Sequence, residues 1–323
     1  SWSSCLLNSN ADHLFMSWGW LYSWWKTWSQ PLGLEICLYG VFLDDGQLIA
    51  IAPLYKRSIR VPLLNDVQRL YTMGNAWRIS PTVRTEYSSL IIDHRYFDAS
   101  LSILLQRLCD EGMHEVLLAD ITDNNLHILC ATLDSIEQGS SVINRDKAIG
   151  VRIDTTGKYE DWLKRLGKDT RLKVHNRRDY LLKNYSFELQ KASSDVEIDA
   201  FFNELNNFHL KRWGKPCFDA LAILFHRNLK EMSFKTIRPV YSCLYLNGQL
   251  VSVLYDIETD NGRYNIQSGY LTGFDTKVSL GTLHLGLGIE ETFEDTSLQF
   301  YDCLAGGGKN DFYKEKIYIF QRR

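Results

Sequence analysis

Two α+β modules are the fold that this 323-residue chain predicts, and three features carry the prediction. Apolar stretches of helical period alternate with short strand-like runs joined by turn dipeptides, as in mixed sheets flanked by helices. A polar stretch at 138–146, with Gly139-Ser140-Ser141 inside it, separates a first module, 1–145, from a second, 146–323. Near the end, a strand-like run, Gln299-Phe300-Tyr301-Asp302-Cys303-Leu304, delivers a carboxylate to Gly306, Gly307 and Gly308, with Tyr313-Lys314 shortly after. Consecutive glycines admit unusual backbone angles and let a ligand approach the main chain. Such a strand tip is read either as a reaction centre or as a surface connector.

The first module opens on tryptophans: six of the nine, Trp2, Trp18, Trp20, Trp24, Trp25 and Trp28, fall within the first 28 residues. From Leu14 to Trp28 the spacing suits a helix, with Leu21, Trp24 and Trp28 at i, i+3 and i+7. The stripe reads as core packing or as a ring surface for a sugar. Residues 34–43 and 47–54 read as strands joined through Asp44-Asp45-Gly46 as a hairpin, with Pro53 ending the second. Strands are expected at 68–73 and 88–93. An amphipathic helix follows at 97–111 (Leu101, Leu104, Leu105, Leu108), then a strand at 115–121 and a helix at 126–133. No nucleophile elbow, P-loop or dinucleotide fingerprint lies in this half.

The second module begins with a helical segment, 162–183, whose Lys164, Lys168, Arg171, His175 and Arg178 recur at spacings of 4, 3, 4 and 3. On a regular helix they share one side, a ridge for phosphates or a solvated face. A second helix, 199–213, ends at Gly214 and brings His209, Arg212 and Trp213 within one turn, close enough to line a pocket. A helix at 220–233 precedes a hairpin, 240–246 and 249–258, turned by Asn247-Gly248. A third strand, 263–270, leads through a loop, 271–281, to a helix at 282–294 and the strand at 298–304. The junction Ser279-Leu280-Gly281-Thr282 offers unpaired backbone N–H groups and a positive dipole end, an anion site suited to a pyrophosphate.

Composition narrows the classes. Hydrophobic residues at 45% and charged residues at 23% are a globular balance. The seven cysteines are scattered without a C-x-x-C pair, and the eight histidines show no ligand spacing, so reduced thiols and no metal are expected. Net charge is −3 overall, −5 over residues 1–150 and +2 over 151–323, which excludes a general polyanion binder and with it DNA. No apolar run reaches the roughly 18–20 residues of a membrane helix, and no charged-then-apolar leader is seen. A trimmed, cytoplasmic protein without membrane insertion is expected.

Taken in order, the pieces resemble a family. They are Phe15-Met16-Ser17-Trp18 through Trp24-Trp25, Leu48-Ile49-Ala50-Ile51-Ala52-Pro53-Leu54, and Arg171 with Arg177-Arg178. After them come Phe208-His209-Leu210-Lys211-Arg212-Trp213, Asn265-Ile266-Gln267-Ser268-Gly269-Tyr270, Ser279-Leu280-Gly281, and Tyr301-Asp302 through Tyr313-Lys314. The chain resembles the FemAB-like and CelD-like group of GNAT-fold acyltransferases over nearly its full length. The resemblance implies two tandem GNAT-like modules, each a mixed, mostly antiparallel sheet flanked by helices. It also implies direct transfer of an acyl group, acetyl above all, from acetyl-CoA or another acyl-CoA to an amine or hydroxyl of a small-molecule, saccharide or envelope-precursor acceptor.

In that fold the strands 263–270 and 298–304 part and a thioester lies between them, its pantetheine pairing with the open edge. Asp302 is then the candidate base, with His209 the alternate and a structural cap the other reading of Asp302. Gln267, Ser268, Gly269, Ser279, Gly281 and Thr282 would hold the donor, the Ser268 and Gly269 amides serving the oxyanion. Tyr313 or Tyr270 would protonate the thiolate, and Arg212, Trp213, Lys314, Arg171 and Arg178 would meet the acceptor. The alternatives are an aminoacyl-tRNA-dependent transferase of the FemAB type, for which the basic ridge speaks, and a non-catalytic binding protein of the same fold.

Overall fold

The computed structural model describes residues 1–59, 67–76, 79–136, 141–144, 148–232 and 236–305. The glycine triplet, Tyr313 and Lys314 lie outside the described residues. The first elements are α1 (Trp2–Leu7), α2 (Trp18–Leu32), β1 (Glu35–Phe42), β2 (Leu48–Ile59), β3 (Val67–Thr72), β4 (Ile91–Ile92), α3 (Phe97–Asp110), β5 (Glu115–Leu117) and α4 (Asp123–Ser135). Next come β6 (Gly150–Asp154), α5 (Tyr159–Arg165), α6 (Lys168–Arg171), a π-helical turn (Leu172–Asn176), α7 (Arg177–Asn184), β7 (Phe187–Ala192), α8 (Asp195–Trp213) and α9 (Ala220–Met232). The last are β8 (Arg238–Leu246), β9 (Gln249–Glu258), β10 (Gly262–Tyr270), α10 (Leu280–Glu294) and β11 (Phe300–Ala305). Contacts divide the chain into two units, residues 1–145 with 220–233, and 146–219 with 234–323.

In the first unit the sheet runs β1-β2-β3-β5, antiparallel except for the parallel pair β3 and β5, and β4 also pairs with β2. The β1–β2 turn forms at Asp44-Asp45-Gly46, with Gly46 at a φ of 82° and its N–H donating to Leu43 O at 2.9 Å. Pro53 does not end β2, as its missing N–H suggests it should. Its carbonyl accepts from Met73 N (2.9 Å), so its nitrogen faces the same edge, at the place where the neighbour on that edge changes from β4 to β3. No donor is needed there.

Helix α2 starts where Ser17 Oγ accepts from Trp20 N and stops at left-handed Gly33. Its tryptophan stripe is core: Trp20, Trp24 and Trp28 are buried, and Trp24 packs against Tyr55 with 5.8 Å between ring centroids. Helix α9 joins this unit through the same stripe. Phe225 lies 4.9 Å from Trp20 and 5.4 Å from Trp28, and Asn228 Nδ2 donates to Thr27 Oγ1 (3.2 Å). A boundary drawn from the linear sequence therefore misplaces this one helix. On the sheet, α3 buries the expected face, Leu101, Leu104, Leu105 and Leu108.

Among the described residues the second unit has one six-stranded sheet in the order β6-β11-β10-β9-β8-β7, in which β10 and β11 are the one parallel pair. Strands β6 and β7 are additions to the elements expected from the sequence. The β8–β9 hairpin turns at Asn247 and Gly248, both with positive φ, as the dipeptide predicts. Successive side chains of a strand face opposite ways. Gly269 meets Leu205 and Phe208 of α8, while Tyr270 meets Gly281 of α10, so the two helices cover opposite faces.

A β-carbon on Gly286 would run into the Val174 carbonyl oxygen. The glycine therefore lets α10 press directly on the π turn. That turn and the break at Leu166-Gly167 divide what the sequence suggests is one helix over 162–183.

Candidate active site

Strands β10 and β11 pair over three positions and then separate. Gly262, Arg263 and Tyr264 stand opposite Phe300, Tyr301 and Asp302. From Asn265 to Tyr270, β10 has no strand neighbour on that edge among the described residues. The closed end of this fork is held by buried charge. Asp256 accepts from Arg263 Nε (2.7 Å), Asn265 Nδ2 (2.8 Å) and the Tyr301 hydroxyl (3.0 Å), and Arg263 Nη1 also reaches Glu291 (2.9 Å). Asp256 and Arg263 are at most 1% exposed, so each charge depends on the other.

The open end has a local cause on each strand. In β10 a bulge between Asn265 and Gln267 inserts one extra residue and bends the strand. In β11, Leu304 takes a φ of 58°, and its N–H donates to Asp302 Oδ1 at 2.7 Å. The other Asp302 oxygen accepts from Arg152 Nε at 2.7 Å, and the carboxylate is fully buried. Asp302 thus fastens the turn that carries β11 away from β10.

The exposed main chain of β10 is defined by its other edge. Leu271 N donates to Val251 O (2.8 Å), so by antiparallel alternation the Gly269 N–H and C=O face β9. Those of Ser268 and Tyr270 face the fork. The Ser268 N–H is covered by its neighbour Gln267 Oε1 (3.0 Å), and the Ser268 carbonyl accepts from His209 Nε2 (2.9 Å). Tyr270 N–H has no partner among the described residues. Of the two amides expected to serve an oxyanion, Ser268 lies on the open edge and Gly269 on the closed one.

His209 is brought to this edge by α8, and its bond to a carbonyl fixes the tautomer: Nε2 carries the proton and Nδ1 the lone pair. Burial holds its pKa below the usual value; the Ser268 carbonyl opposes that shift and the nearby Arg212 guanidinium adds to it. One turn on, exposed Arg212 lies 4.5 Å from the Trp213 ring centroid and 4.6 Å from that of Tyr270. It has no acidic partner among the described residues.

Beyond Tyr270 a cavity of about 560 Å³ opens between the loop 271–279 and the π turn, lined among others by Lys173, Arg177, Tyr270, Gly273, Lys277 and Ser279. Its one carboxylate is committed. Asp275 accepts from Lys277 N (2.7 Å) and from the hydroxyls of Tyr180 (3.0 Å) and Tyr185 (2.9 Å), and the Lys277 amide first among these holds its pKa below the carboxylate range. Lys173 and Arg177 have no acidic partner among the described residues. The N-cap Ser279 leaves the first-turn amides of α10 uncapped, its hydroxyl bonding that of Thr282 (2.8 Å) instead. Gly281 is buried for packing, since a β-carbon there would meet the Tyr270 ring at 2.5 Å.

The basic ridge of the sequence does not form. Arg178 pairs with Glu290 (2.6 Å), Lys164 with Asp161 (2.9 Å), and His175 faces the Tyr159 hydroxyl (3.4 Å). Arg171 is half-buried and does not line the cavity. Lys173 and Arg177, four positions apart, line the cavity in place of Arg171 and Arg178. Lys173, Arg177 and Lys277 are the cations that the stripe 164–178 leaves out; the signals available were the i, i+4 spacing of Lys173 and Arg177 and, separately, a Gly-x-Asp-x-Lys loop at 273–277. Among the described residues no group of three His, Cys, Asp or Glu is placed to hold a metal, and no helix is long and apolar enough to cross a membrane.

Residues 168–315 match the family model described as an acetyltransferase (GNAT) domain. The solved structure of FemX is similar with a TM-score of 0.64 at 10% identity, over 98% of this chain and 90% of that one. A conserved protein of unknown function from Bacteroides thetaiotaomicron VPI-5482 is similar with a TM-score of 0.54 at 12% identity, over 98% and 91%. No curated protein matches the sequence. At these identities the structures show a shared fold.

Proposed function

We propose that this acyltransferase, whose residues 168–315 match a GNAT acetyltransferase domain, takes its acyl group from a CoA thioester held along the open edge of β10. The observation that carries the reading is the parting of β10 and β11 after three paired residues. The edge so exposed presents the Ser268 and Tyr270 amides as donors, the pattern an extended pantetheine amide chain requires. The adjoining cavity supplies Lys173, Arg177, Lys277 and the uncapped first turn of α10, a setting that suits a diphosphate.

In the reaction the acceptor nitrogen or oxygen bonds to the thioester carbon, and the C–S bond breaks. The acceptor proton passes to His209 Nδ1, directly or through one water, because with Nε2 committed to the Ser268 carbonyl Nδ1 is the ring nitrogen that holds a basic lone pair. Negative charge developing on the carbonyl oxygen is met by main-chain amides of the edge, with the Gln267 side chain moving off Ser268 N–H as the donor enters. Tyr270, whose ring lines the cavity, gives its hydroxyl proton to the thiolate, and its phenolate and the His209 imidazolium are then restored by proton exchange with solvent. We assign Asp302 the turn at Leu304 in place of the base, since both its oxygens are occupied.

Arg212 and Trp213 form the acceptor side. The stacked guanidinium suits an anionic or sugar-bearing acceptor, in keeping with the CelD-like resemblance. For an aminoacyl-tRNA donor the chain would need a continuous basic track, and three of the five ridge residues are turned to partners within the unit.

Titration calorimetry with acetyl-CoA and CoA tests the donor. Tight binding that weakens at least tenfold in a Lys173→Glu, Arg177→Glu double variant is expected. Wild-type protein that binds neither, yet retains charged tRNA at moderate salt, would replace CoA by the rival donor.

A further inference from the structure

A buried hydrogen-bond chain runs to the closed edge of β10 and ends on the peptide whose other end faces the fork. The Ser242 hydroxyl of β8 lies 2.9 Å from His284 Nε2 of α10, and His284 Nδ1 lies 3.0 Å from Ser252 Oγ of β9. Ser252 Oγ in turn donates to the Gly269 carbonyl of β10 at 3.2 Å. Ser242, Ser252 and His284 are each at most 3% exposed.

The direction of every proton follows from the last bond. A carbonyl only accepts, so the single Ser252 proton points to Gly269, and Ser252 must accept from His284. His284 therefore carries its proton on Nδ1. Burial depresses its pKa to about 3, so the ring is neutral and Nε2 accepts from Ser242. All donors run one way, from β8 through α10 and β9 to β10.

Gly269 already faces Val253 of β9 in register, so Ser252 is a second donor on the same carbonyl. Its peptide unit ends in the Tyr270 N–H, which points into the fork. Hydrogen bonds in series polarise one another, and a donor on the carbonyl strengthens the N–H of the same peptide. We propose that Ser242, His284 and Ser252 are positioning residues that lock and polarise the Gly269–Tyr270 peptide, making the Tyr270 amide the strong donor of the open edge. The role in transfer rests on the acyl-CoA reading above; the polarisation itself does not.

The test is Ser252→Ala, read by the amide proton shift of Tyr270 in the free protein and by kcat and donor KM. The relay predicts that the Tyr270 proton moves upfield, and that kcat falls roughly two- to fivefold with KM nearly unchanged, for a 10–30% loss of bond strength. Ser242→Ala, which touches no part of β10, is expected to move the same proton in the same direction by less. It also serves if Ser252→Ala fails to fold. A lowered melting temperature with the Tyr270 proton unmoved in Ser252→Ala and Ser242→Ala would overturn the proposal. Absence of acyl-CoA turnover in the wild type would instead defeat the donor reading, while the proton shift still decides the relay.

Discussion

At His209 two requirements of a base meet in one side chain: a proton fixed on Nε2 by Ser268 O, and a pKa below the ordinary imidazole value. The base is active when deprotonated, so kcat/KM should rise with pH through an apparent pKa below 6.5 and be flat above neutrality. His209→Gln can still hold Ser268 but cannot take a proton. It should lower kcat by about 10²–10⁴-fold and remove the acidic limb of the profile. Asp302→Asn is the contrasting variant. The amide oxygen can still accept from Leu304 while the Arg152 ion pair is lost, so melting temperature should fall and turnover of the folded protein stay within a few-fold. Loss of turnover by Asp302→Asn on the scale of His209→Gln would return Asp302 to the role of base.

Among the elements, α10 does the most to shape the site, and its glycines show how. Gly286→Ala would drive a β-carbon into the Val174 carbonyl, where backbone must yield; overpacking of this kind costs about 1–3 kcal/mol. Because the π turn carries Lys173, the same variant should weaken donor binding, which calorimetry on the folded fraction would show. At the closed end of the fork, Arg263→Met leaves Asp256 buried and uncompensated and should destabilise the second unit by about 3–5 kcal/mol in denaturant titrations.

How far the sequence could be read also separates by element. The hairpin at Asn247-Gly248, helix α8 with its stop at Gly214, and the order strand, loop, helix, strand that builds the fork all follow from local rules, and local rules suffice there. The cavity's cations were not singled out because the segment 162–183 offers two basic faces by period, and which one lines the cavity is set by how the segment packs beside α10 and the loop 271–279. The fate of Asp302 depended on Arg152, 150 positions away in the chain. Membership of α9 depended on Trp20 and Trp28. Such pairings are tertiary facts, and only the assembled sheet or core reveals them.

On the scale of the whole molecule, each unit buries one neutral histidine, His226 in the first and His284 in the second, both with pKa depressed to about 3 by burial. A depressed pKa contributes stability that is full above the unfolded value of about 6.5 and lost as pH falls toward the folded one. Each unit should therefore lose up to about 1.4 kcal/mol per pH unit from this source between pH 6.5 and 3. Denaturation curves at stepped pH, with His226→Gln and His284→Gln flattening the dependence, would check it.

The catalytic account turns on whether an edge of β10 stands ready for the donor. Residue-resolved amide exchange at Ser268, Gly269 and Tyr270, with and without saturating acetyl-CoA, measures this directly. Gly269 should be protected throughout, and Tyr270 should exchange fast in the free protein and slow at least tenfold on addition of the donor. A Tyr270 amide as protected as Gly269 before any ligand is added would contradict the account.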